Sequence, residues 1–247
     1  MRRGRLGWWL RFAVCVIKPA VVLLTRRDHR GSAHCPAEGG VIVAANHISH
    51  ADPFVLAEFV YDALRRAPRF LAKIEIFRLP VVGRIVRGAG QIAVYRDTVN
   101  AGDALRDAVA AINRGECLVI YPEGTLTRDP DLWPMRARTG VARLAMLTGA
   151  PVIPVAQWGP QRILAPYAKR LRLFPRRTVH LVAGPPVDLS AYVGRDPNVE
   201  VLRAATDAIM ADIRALLAGL RATEPPAVVY DPRTIAPGDL GDERRSA

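Results

Sequence analysis

The residues best suited to chemistry in this chain are His47 and Asp52, which lie five positions apart in the segment 46–53. An imidazole gains and loses a proton near neutral pH, so it can act as a general base. A carboxylate on its other nitrogen fixes the tautomer and stabilises the imidazolium that forms. The plainer interpretation is that Asp52 caps a helix and His47 is a polar loop residue. Two residues alone favour that interpretation, although both roles can coexist.

Other polar residues follow apolar runs farther along the chain. Lys73, Arg96 and the pair Glu123-Gly124 each come directly or shortly after one of these runs. Parallel strands bring their carboxyl ends to one edge of a sheet, so we expect Arg96 and the pair Glu123-Gly124 to converge with His47. Each of them also has a plainer interpretation, as a surface charge, a solvated ion pair or a turn.

Short apolar runs alternate with segments of helical periodicity along most of the chain. The runs predict strands at 41–46, 70–72, 91–95, 117–120 and 152–156, and the periodicity predicts helices at 54–64, 101–113, 141–147 and 199–220. Residues 171–174 and 179–182 predict a hairpin-like pair. Asp52 and Pro53 predict the N-cap and the first turn of the helix at 54–64. The alternation predicts an α/β fold with a mixed, largely parallel sheet flanked by helices.

Residues 1–30 have the composition of a membrane-surface element. Arginines flank an apolar stretch over 6–24, which Arg11, Lys18 and Pro19 interrupt. A membrane-spanning helix needs about 20 apolar residues without charge. We therefore expect an N-terminal membrane-interfacial helical segment over 1–30, made of two short helices hinged at Pro19. A core helix of the domain and a true single span are the alternatives.

The rest of the chain divides at a change in composition. Residues 31–222 hold the alternating strands and helices and are expected to form one domain. Residues 223–247 are polar and contain prolines without any period, which predicts a loose C-terminal tail.

The net charge of +12 comes from 35 Lys and Arg against 23 Asp and Glu, which favours an anionic partner such as nucleic acid, an anionic membrane or a phosphorylated substrate. No zinc-finger spacing, aromatic RNA-binding motif or obvious recognition helix supports nucleic acid. The three cysteines are far apart and form no CxxC pair, which favours a reducing compartment and argues against disulfides or a zinc site.

Four segments in order resemble the motifs of the glycerolipid acyltransferase family, which contains the 1-acylglycerol-3-phosphate acyltransferases. The family motif NHxSxxD is met by residues 46–52, the Gly-apolar-Arg motif by 90–96, the Phe-Pro-Glu-Gly-Thr motif by 121–125, and the Val-Pro-Val type strand by 152–155. In the third motif this chain has Tyr121 in place of phenylalanine. Each motif alone is weak, whereas four in order over about residues 40–185 are specific.

The resemblance implies a glycerol-3-phosphate acyltransferase-like fold and a role for each matching residue. In the family pattern His47 is the catalytic base and Asp52 is its partner. Substrate-binding roles fall on Lys73, Arg96, Glu123, Gly124, Thr125 and Arg128. Arg128 lies two positions later than the arginine that many family members carry. Because Glu123 would repel a phosphate, we expect it to accept from a substrate hydroxyl or to hold Arg96 in place.

The implied reaction is acyl transfer from a thioester to a glycerol hydroxyl. The thioester carbonyl becomes an oxyanion, and we expect its donors to be backbone N–H groups near Gly124 or at the start of the helix at Phe54. The guanidinium of Arg96 is expected to bind the phosphate in bidentate fashion, with Lys73 adding a point charge. This chemistry requires no metal, and the histidines and acidic residues form no ligand cluster.

The implied function is a membrane-associated acyltransferase that converts lysophosphatidate to phosphatidate in phospholipid biosynthesis. The expected partners are a lysophospholipid acceptor, acyl-CoA or acyl carrier protein as co-substrate, and an anionic membrane surface, with no cofactor and no nucleic acid. The expected location is the cytoplasmic face of the cell membrane, as a peripheral or monotopic protein. Two alternatives stay open: acylation of another glycerol-phosphate, lysophospholipid or glycolipid acceptor, and a non-catalytic peripheral lipid-binding protein.

Overall fold

The computed structural model describes residues 8–94 and 101–234. The helices in this part of the chain are α1 Trp8–Leu24, α2 Asp52–Asp62, α3 Ile74–Arg78, α4 Val82–Gly88, α5 Ala101–Asn113, α6 Gly140–Thr148 and α7 Val199–Arg221. The strands are β1 Thr25–Arg30, β2 Val41–Ala45, β3 Pro68–Lys73, β4 Ile92–Val94, β5 Cys117–Ile120, β6 Val152–Trp158 and β7 Arg177–Ala183.

The strands form one sheet in the order β1-β7-β6-β2-β5-β3-β4. Neighbouring strands are parallel except for β6 and β7, so β1 and β7 run opposite to the other five. The carboxyl ends of β2, β3, β5 and β6 therefore lie at one edge of the sheet, which we call the carboxyl edge. The predicted α/β class with a largely parallel sheet is confirmed.

Both faces of the sheet are covered, which explains why its central strands read as continuous apolar runs. Ile42, Leu118 and Val152 point to the face that α5, α6 and α7 cover. Val43 and Val119 point to the opposite face, which is covered mainly by α2 and the last part of α1. Burial on both sides fixes the register of β2, since a shift by one residue would exchange its two side-chain sets between different cores.

The predicted hairpin between 171–174 and 179–182 is wrong. Residues 171–174 form no strand, and β7 pairs instead with β6 on one side and with β1 on the other. The missed partner, β1, has the sequence Thr-Arg-Arg-Asp-His-Arg and forms an edge of the sheet. Edge strands are commonly charged, so a search for apolar runs does not detect them.

The N-terminal segment also differs from its prediction. Residues 8–24 form one helix that contains Pro19 rather than two helices hinged there, and residues 25–30 belong to the sheet. The helical part of the predicted segment therefore ends at Leu24. None of the described helices is long and apolar enough to cross a membrane.

Part of the predicted C-terminal tail is attached to the domain. The backbone N–H of Arg136 donates to the carbonyl of Tyr230 at 2.8 Å, and its guanidinium lies 2.9 Å from the Asp231 carboxylate. Residues 235–247, which make up the rest of the predicted tail, lie outside the described residues.

Candidate active site

The site is built from two loops that leave neighbouring strands at the carboxyl edge. The first loop, residues 46–51, follows β2 and contains His47. The second, residues 121–127, follows β5, which pairs with β2. Both loops begin where a buried strand ends, so the sheet sets their relative position.

The predicted pair of His47 and Asp52 is present. His47 Nδ1 lies 2.9 Å from Asp52 Oδ2, and the same oxygen accepts from the backbone N–H groups of Ile48 at 2.6 Å and Ser49 at 2.8 Å. Three donors on one oxygen are typical of an ionised carboxylate. With Nδ1–H donating to Asp52, the lone pair of Nε2 is the one that can accept a proton.

Burial governs the electrostatics of this pair. The Asp52 side chain is fully buried, whereas the His47 side chain is 14% exposed. Burial raises the pKa of Asp52, and the imidazole and the two backbone donors oppose that rise. The exposed part of the imidazole gives an acceptor molecule access to the ring.

The predicted N-cap role of Asp52 is wrong. Ala51 is the N-cap of α2 and makes no side-chain capping bond, while Asp52 and Pro53 are the first two helical residues. The Asp52 carboxylate turns back towards the loop that precedes the helix. It is therefore committed to His47 and to the loop backbone rather than to the free N–H groups of the helix.

Glu123 holds the two loops together. Its Oε1 accepts from the backbone N–H of His47 at 2.9 Å, and its Oε2 accepts from the backbone N–H of Met135 at 3.0 Å. The residue is buried, and burial raises the pKa of its carboxyl to about 8. Because both oxygens accept from the backbone, Glu123 positions the loop of His47. Its predicted contact with a substrate hydroxyl stays a prediction.

Further hydrogen bonds fix the backbone around His47. The carbonyl of His47 accepts from the N–H of Thr127 at 2.7 Å, so the residue is held on both sides by the second loop. Asn46 exchanges three hydrogen bonds with Gln157 at the end of β6. The hydroxyl of Ser49 donates to the carbonyl of Leu164 at 2.6 Å. A loop held from three sides loses little entropy when it positions a base.

Tyr121 is a residue of this site that the sequence analysis treated only as a motif match. Its ring stacks on the imidazole of His47, with 4.0 Å between the ring centroids and 13° between the planes. Burial raises the pKa of its hydroxyl well above the usual range. The signal in the sequence was its place directly after β5 and two residues before Glu123. An aromatic ring there limits the imidazole to one orientation.

At each of the two predicted sources of oxyanion donors, one backbone N–H group is already used within the protein. The N–H of Gly124 donates to the carbonyl of Tyr121 at 2.9 Å, which closes a turn, and the N–H of Phe54 donates to the carbonyl of Ala51 at 3.2 Å. Gly124 has φ of 75°, a conformation that favours glycine, so its place in the motif is explained by the turn. These two N–H groups are therefore not free to meet an oxyanion, and donors among the other N–H groups near Gly124 stay a prediction.

The residues predicted to bind the phosphate are not all in the loops that hold His47. Lys73 is exposed at the carboxyl end of β3, beside β5, and Arg128 is exposed just beyond the second loop. Thr125 is half-buried after the turn. Arg96 lies between the two described ranges, 8–94 and 101–234, and is therefore outside the described residues. The structure thus brings Lys73 to the same edge as His47 and leaves the charged head of Arg128 in solvent.

The described residues contain no group of three or more His, Cys, Asp or Glu side chains that could hold a metal ion.

The fold and site define a class: an α/β protein that presents a buried histidine–aspartate pair from a rigid loop at the carboxyl edge of a largely parallel sheet. A family model described as Acyltransferase matches residues 26–158, and the chain belongs to the Acyltransferase family. The resemblance inferred from the four motifs is confirmed.

Similar proteins carry a consistent description. The 1-acyl-sn-glycerol-3-phosphate acyltransferase of Borreliella burgdorferi is 31% identical over 128 residues, which is 51% of this chain and 48% of that protein. A chloroplastic 1-acyl-sn-glycerol-3-phosphate acyltransferase of Brassica napus is 27% identical over 141 residues, which is 56% of this chain and 39% of that protein. The matched region therefore spans about half, or less, of the length of these relatives.

A solved structure extends the similarity beyond the matched sequence. The crystal structure of the 1-acyl-sn-glycerophosphate (LPA) acyltransferase from Thermotoga maritima resembles this chain with a TM-score of 0.64 and 26% identity. The match covers 85% of this chain and 80% of that one. The two proteins therefore share a fold over most of their length.

Proposed function

We infer that this chain is a 1-acylglycerol-3-phosphate O-acyltransferase, which moves a fatty acyl group from a thioester to the free hydroxyl of lysophosphatidate and so forms phosphatidate. The observation that carries the inference is the bond between His47 Nδ1 and Asp52 Oδ2, made in a loop that is fixed on three sides. Membership of the family and the descriptions of the relatives supply the substrate class.

The proton follows a simple path in this reaction. His47 Nε2 takes the proton of the acceptor hydroxyl while the hydroxyl oxygen attacks the thioester carbonyl. Asp52 stabilises the imidazolium that forms and keeps the ring in place. The tetrahedral intermediate then expels the thiolate, which takes the proton back from His47. Atoms and charge balance, and the enzyme returns to its first state with an ester and a free thiol.

The acceptor is held through its phosphate. Lys73, Arg96 and Arg128 supply positive charge for a phosphate, and Lys73 stands at the end of β3 on the carboxyl edge. A guanidinium suits a phosphate because its donors form a planar fork. Gly124, whose N–H closes a turn onto the Tyr121 carbonyl, and the next residue, Thr125, are assigned to the same substrate region. Glu123 acts one step away from the substrate, by holding the backbone of His47.

The acyl donor is acyl-CoA or acyl carrier protein, and the acceptor is reached at the cytoplasmic face of a membrane. Helix α1 supports the association with a membrane. Trp8 and Leu23 are each 68% exposed on it, whereas Val21 packs into the core. A helix with one buried face and a second face that displays tryptophan and leucine suits the lipid interface.

An acceptor panel tests the proposal. The purified chain in mixed micelles receives one long-chain acyl-CoA, and release of the free thiol is followed with lysophosphatidate, glycerol 3-phosphate, lysophosphatidylcholine or no acceptor. We expect thiol release with lysophosphatidate, together with phosphatidate as the product. Parallel assays with acyl carrier protein as donor identify the thioester. Thiol release that does not depend on any acceptor, or no release with any donor, would overturn the proposal.

A further inference from the structure

The loop before β7 exposes more apolar surface than a water-facing loop requires. Residues 165–176 form neither helix nor strand, and they contain Tyr167, Leu171 and Phe174 as exposed side chains. Phe174 is 75% exposed and Leu171 is 56% exposed. We call residues 165–176 the β7 entry loop. Large apolar side chains that are grouped and exposed in this way indicate an interaction surface.

The charge of the β7 entry loop identifies the kind of partner. Between residues 165 and 177 the sequence contains five cations and no Asp or Glu: Lys169, Arg170, Arg172, Arg176 and Arg177. Cations that alternate with aromatic and aliphatic side chains match an anionic lipid surface, where the apolar groups enter the interface and the cations meet phosphates.

Two exposed apolar residues elsewhere in the domain, Val193 and Val199, lie in a different setting. Val193 and Val199 are 77% and 80% exposed, and the sequence around them contains Asp196 and Glu200. Exposure alone is therefore common in this chain, whereas exposed aromatic residues among cations without acidic neighbours in the sequence occur in the β7 entry loop and in α1. The acidic surroundings of Val193 and Val199 make them matched controls.

The β7 entry loop lies at the same edge as the candidate active site. Strand β7 is antiparallel to β6, so its first residue, Arg177, lies beyond the carboxyl end of β6. Two hydrogen bonds tie this region to the site loops: Ser49 Oγ donates to the Leu164 carbonyl, and the hydroxyl of Tyr167 donates to the carbonyl of Leu126 at 3.3 Å. A lipid surface bound by this loop would lie beside the imidazole that has to reach a lipid hydroxyl.

The β7 entry loop is also continuous with the exposed end of α1. The guanidinium of Arg176 donates to the carbonyls of Val22 at 2.8 Å and Thr25 at 2.5 Å. Leu23, which is exposed, lies between these two residues in the chain. An open basic cleft at this junction is lined by Val22, Thr25, Arg26, Arg27, His29 and Arg176. The two apolar elements thus meet around a group of cations that can receive lipid phosphates.

We propose that the β7 entry loop is a membrane-docking element that seats the carboxyl edge of the sheet on an anionic bilayer. The choice of lipid as the partner rests on the proposed function, because an enzyme that acylates lysophosphatidate meets its acceptor in a membrane. The loop acts together with α1, and its place beside the His47 loop orients the site towards the lipid.

Vesicle binding tests this proposal without any need for catalysis. The whole chain is mixed with phosphatidylcholine vesicles that contain either no phosphatidylglycerol or about 30 mol% of it, which mimics an anionic leaflet. The bound fraction is measured by flotation. We expect L171S/F174S to lower the partition coefficient on anionic vesicles about tenfold or more, since two large side chains leave the interface. We expect R170E/R172E to remove most of the dependence on phosphatidylglycerol.

The control variant V193S/V199S removes two equally exposed apolar side chains and should bind as the parent chain does. Circular dichroism confirms that each variant is folded. Equal binding by the parent and L171S/F174S would overturn the proposal, as would an equal loss in the control. The proposal would also be overturned if the parent chain does not bind vesicles but forms a stable complex with a second copy.

A second measurement reads the depth of the loop directly. Variants F174W and V199W each add one indole to the chain, and lipids brominated near the headgroup quench indoles that enter the interface. We expect extra quenching for F174W relative to the parent and none for V199W. Failure of the acceptor panel together with quenching at position 174 would refute the proposed reaction and leave the docking surface in place. Equal quenching at both positions would refute the docking surface.

Discussion

Two histidine–aspartate pairs occur in this molecule with nearly the same bond length and with very different surroundings. His47 Nδ1 lies 2.9 Å from Asp52 Oδ2, and His180 Nδ1 lies 2.8 Å from Asp28 Oδ2. The first pair lies in a loop after β2 at the carboxyl edge. The second lies across β1 and β7, where Asp28 and His180 are register partners.

The two carboxylates differ in what else they serve. Asp52 is fully buried and uses one oxygen for the imidazole and two backbone donors. Asp28 is 27% exposed and also binds the guanidinium of Arg30 through both oxygens. Burial raises the pKa of Asp52, whereas the bond from Arg30, followed by the bond from His180, lowers the pKa of Asp28.

The comparison shows that a bond between an imidazole and a carboxylate does not by itself make a base. Asp28 shares its charge with Arg30 in a solvated setting, so it stabilises an imidazolium only weakly. Asp52 has no such cation among its described contacts, and water does not screen its interaction with the ring. The Tyr121 ring also stacks on His47 and restricts the orientation of its imidazole, whereas the described ring contacts include none with His180.

Removal of each imidazole should separate the two pairs most clearly. We expect His47→Ala to lower kcat for acyl transfer by roughly a thousandfold or more, since both the base and its stabilised imidazolium are lost. We expect His180→Ala to keep kcat within about twofold, because a partly exposed pair contributes little. Assays with lysophosphatidate and a long-chain acyl-CoA measure both. Comparable losses in the two variants would show that the pairs are not functionally distinct.

The carboxylates provide the next largest difference. Asp52→Asn should lower kcat roughly a hundredfold to ten-thousandfold, since an amide neither fixes the same tautomer nor stabilises the imidazolium. Asp28→Asn should leave turnover nearly unchanged. Steady-state kinetics at constant acceptor concentration decide between these outcomes, and full activity in Asp52→Asn would contradict the role given to Asp52.

A smaller effect is expected from the ring that orients His47. Tyr121→Leu should lower kcat about tenfold with little change in KM, because misplacing a base by a fraction of an ångström weakens proton transfer. Tyr121→Phe keeps the stacked ring and should retain most of the turnover. If the leucine and phenylalanine variants behave alike, stacking is not what positions the imidazole.

The smallest effect concerns stability rather than turnover. The pKa of Glu123 is raised to about 8 by burial, above the value of about 4.3 expected for an unfolded chain. Its contribution to the free energy of unfolding is therefore present below about pH 4.3 and is lost as the pH rises through about 8.

Glu123→Gln should reduce the loss of unfolding free energy with rising pH, by a few kcal/mol at most. Urea denaturation between pH 5 and pH 8, which lies between the two pKa values, measures this change. Asp28→Asn has the opposite sign, because a lowered pKa stabilises above the unfolded value and that contribution disappears as the pH falls. It should change only the acid limb of the profile. A slope that stays the same in Glu123→Gln would show that this carboxyl is not the group responsible.

Much of the fold was predictable from local pattern. The strands β2, β5 and β6 read as continuous apolar runs, because both of their faces are covered, and the helix α7 shows a clear amphipathic period. Strand β1 was missed because its charged sequence carries no apolar run, and its partner β7 was therefore assigned to a hairpin. Pairing between distant strands is a tertiary property that local pattern does not encode.

The candidate site divides in the same way. The motif residues His47 and Asp52 were found from their spacing, and the family was found from four motifs in order. The contacts of Glu123, Gln157 and Tyr121 with the His47 loop were not predicted, because these residues come from a distant loop or strand. Tyr121 is 74 residues away from His47 in the chain, and Gln157 is 111 residues away from Asn46.

By itself, the sequence determined which residue types can do the chemistry and which segments form the buried strands, since side-chain identity and hydrophobic period are local quantities. The tertiary structure decided which of two similar histidine–aspartate pairs has a fully buried carboxylate beside an open edge and which is partly exposed beside an arginine. That choice depends on burial and on the nearest charges, and both are set by chain segments that meet only after folding.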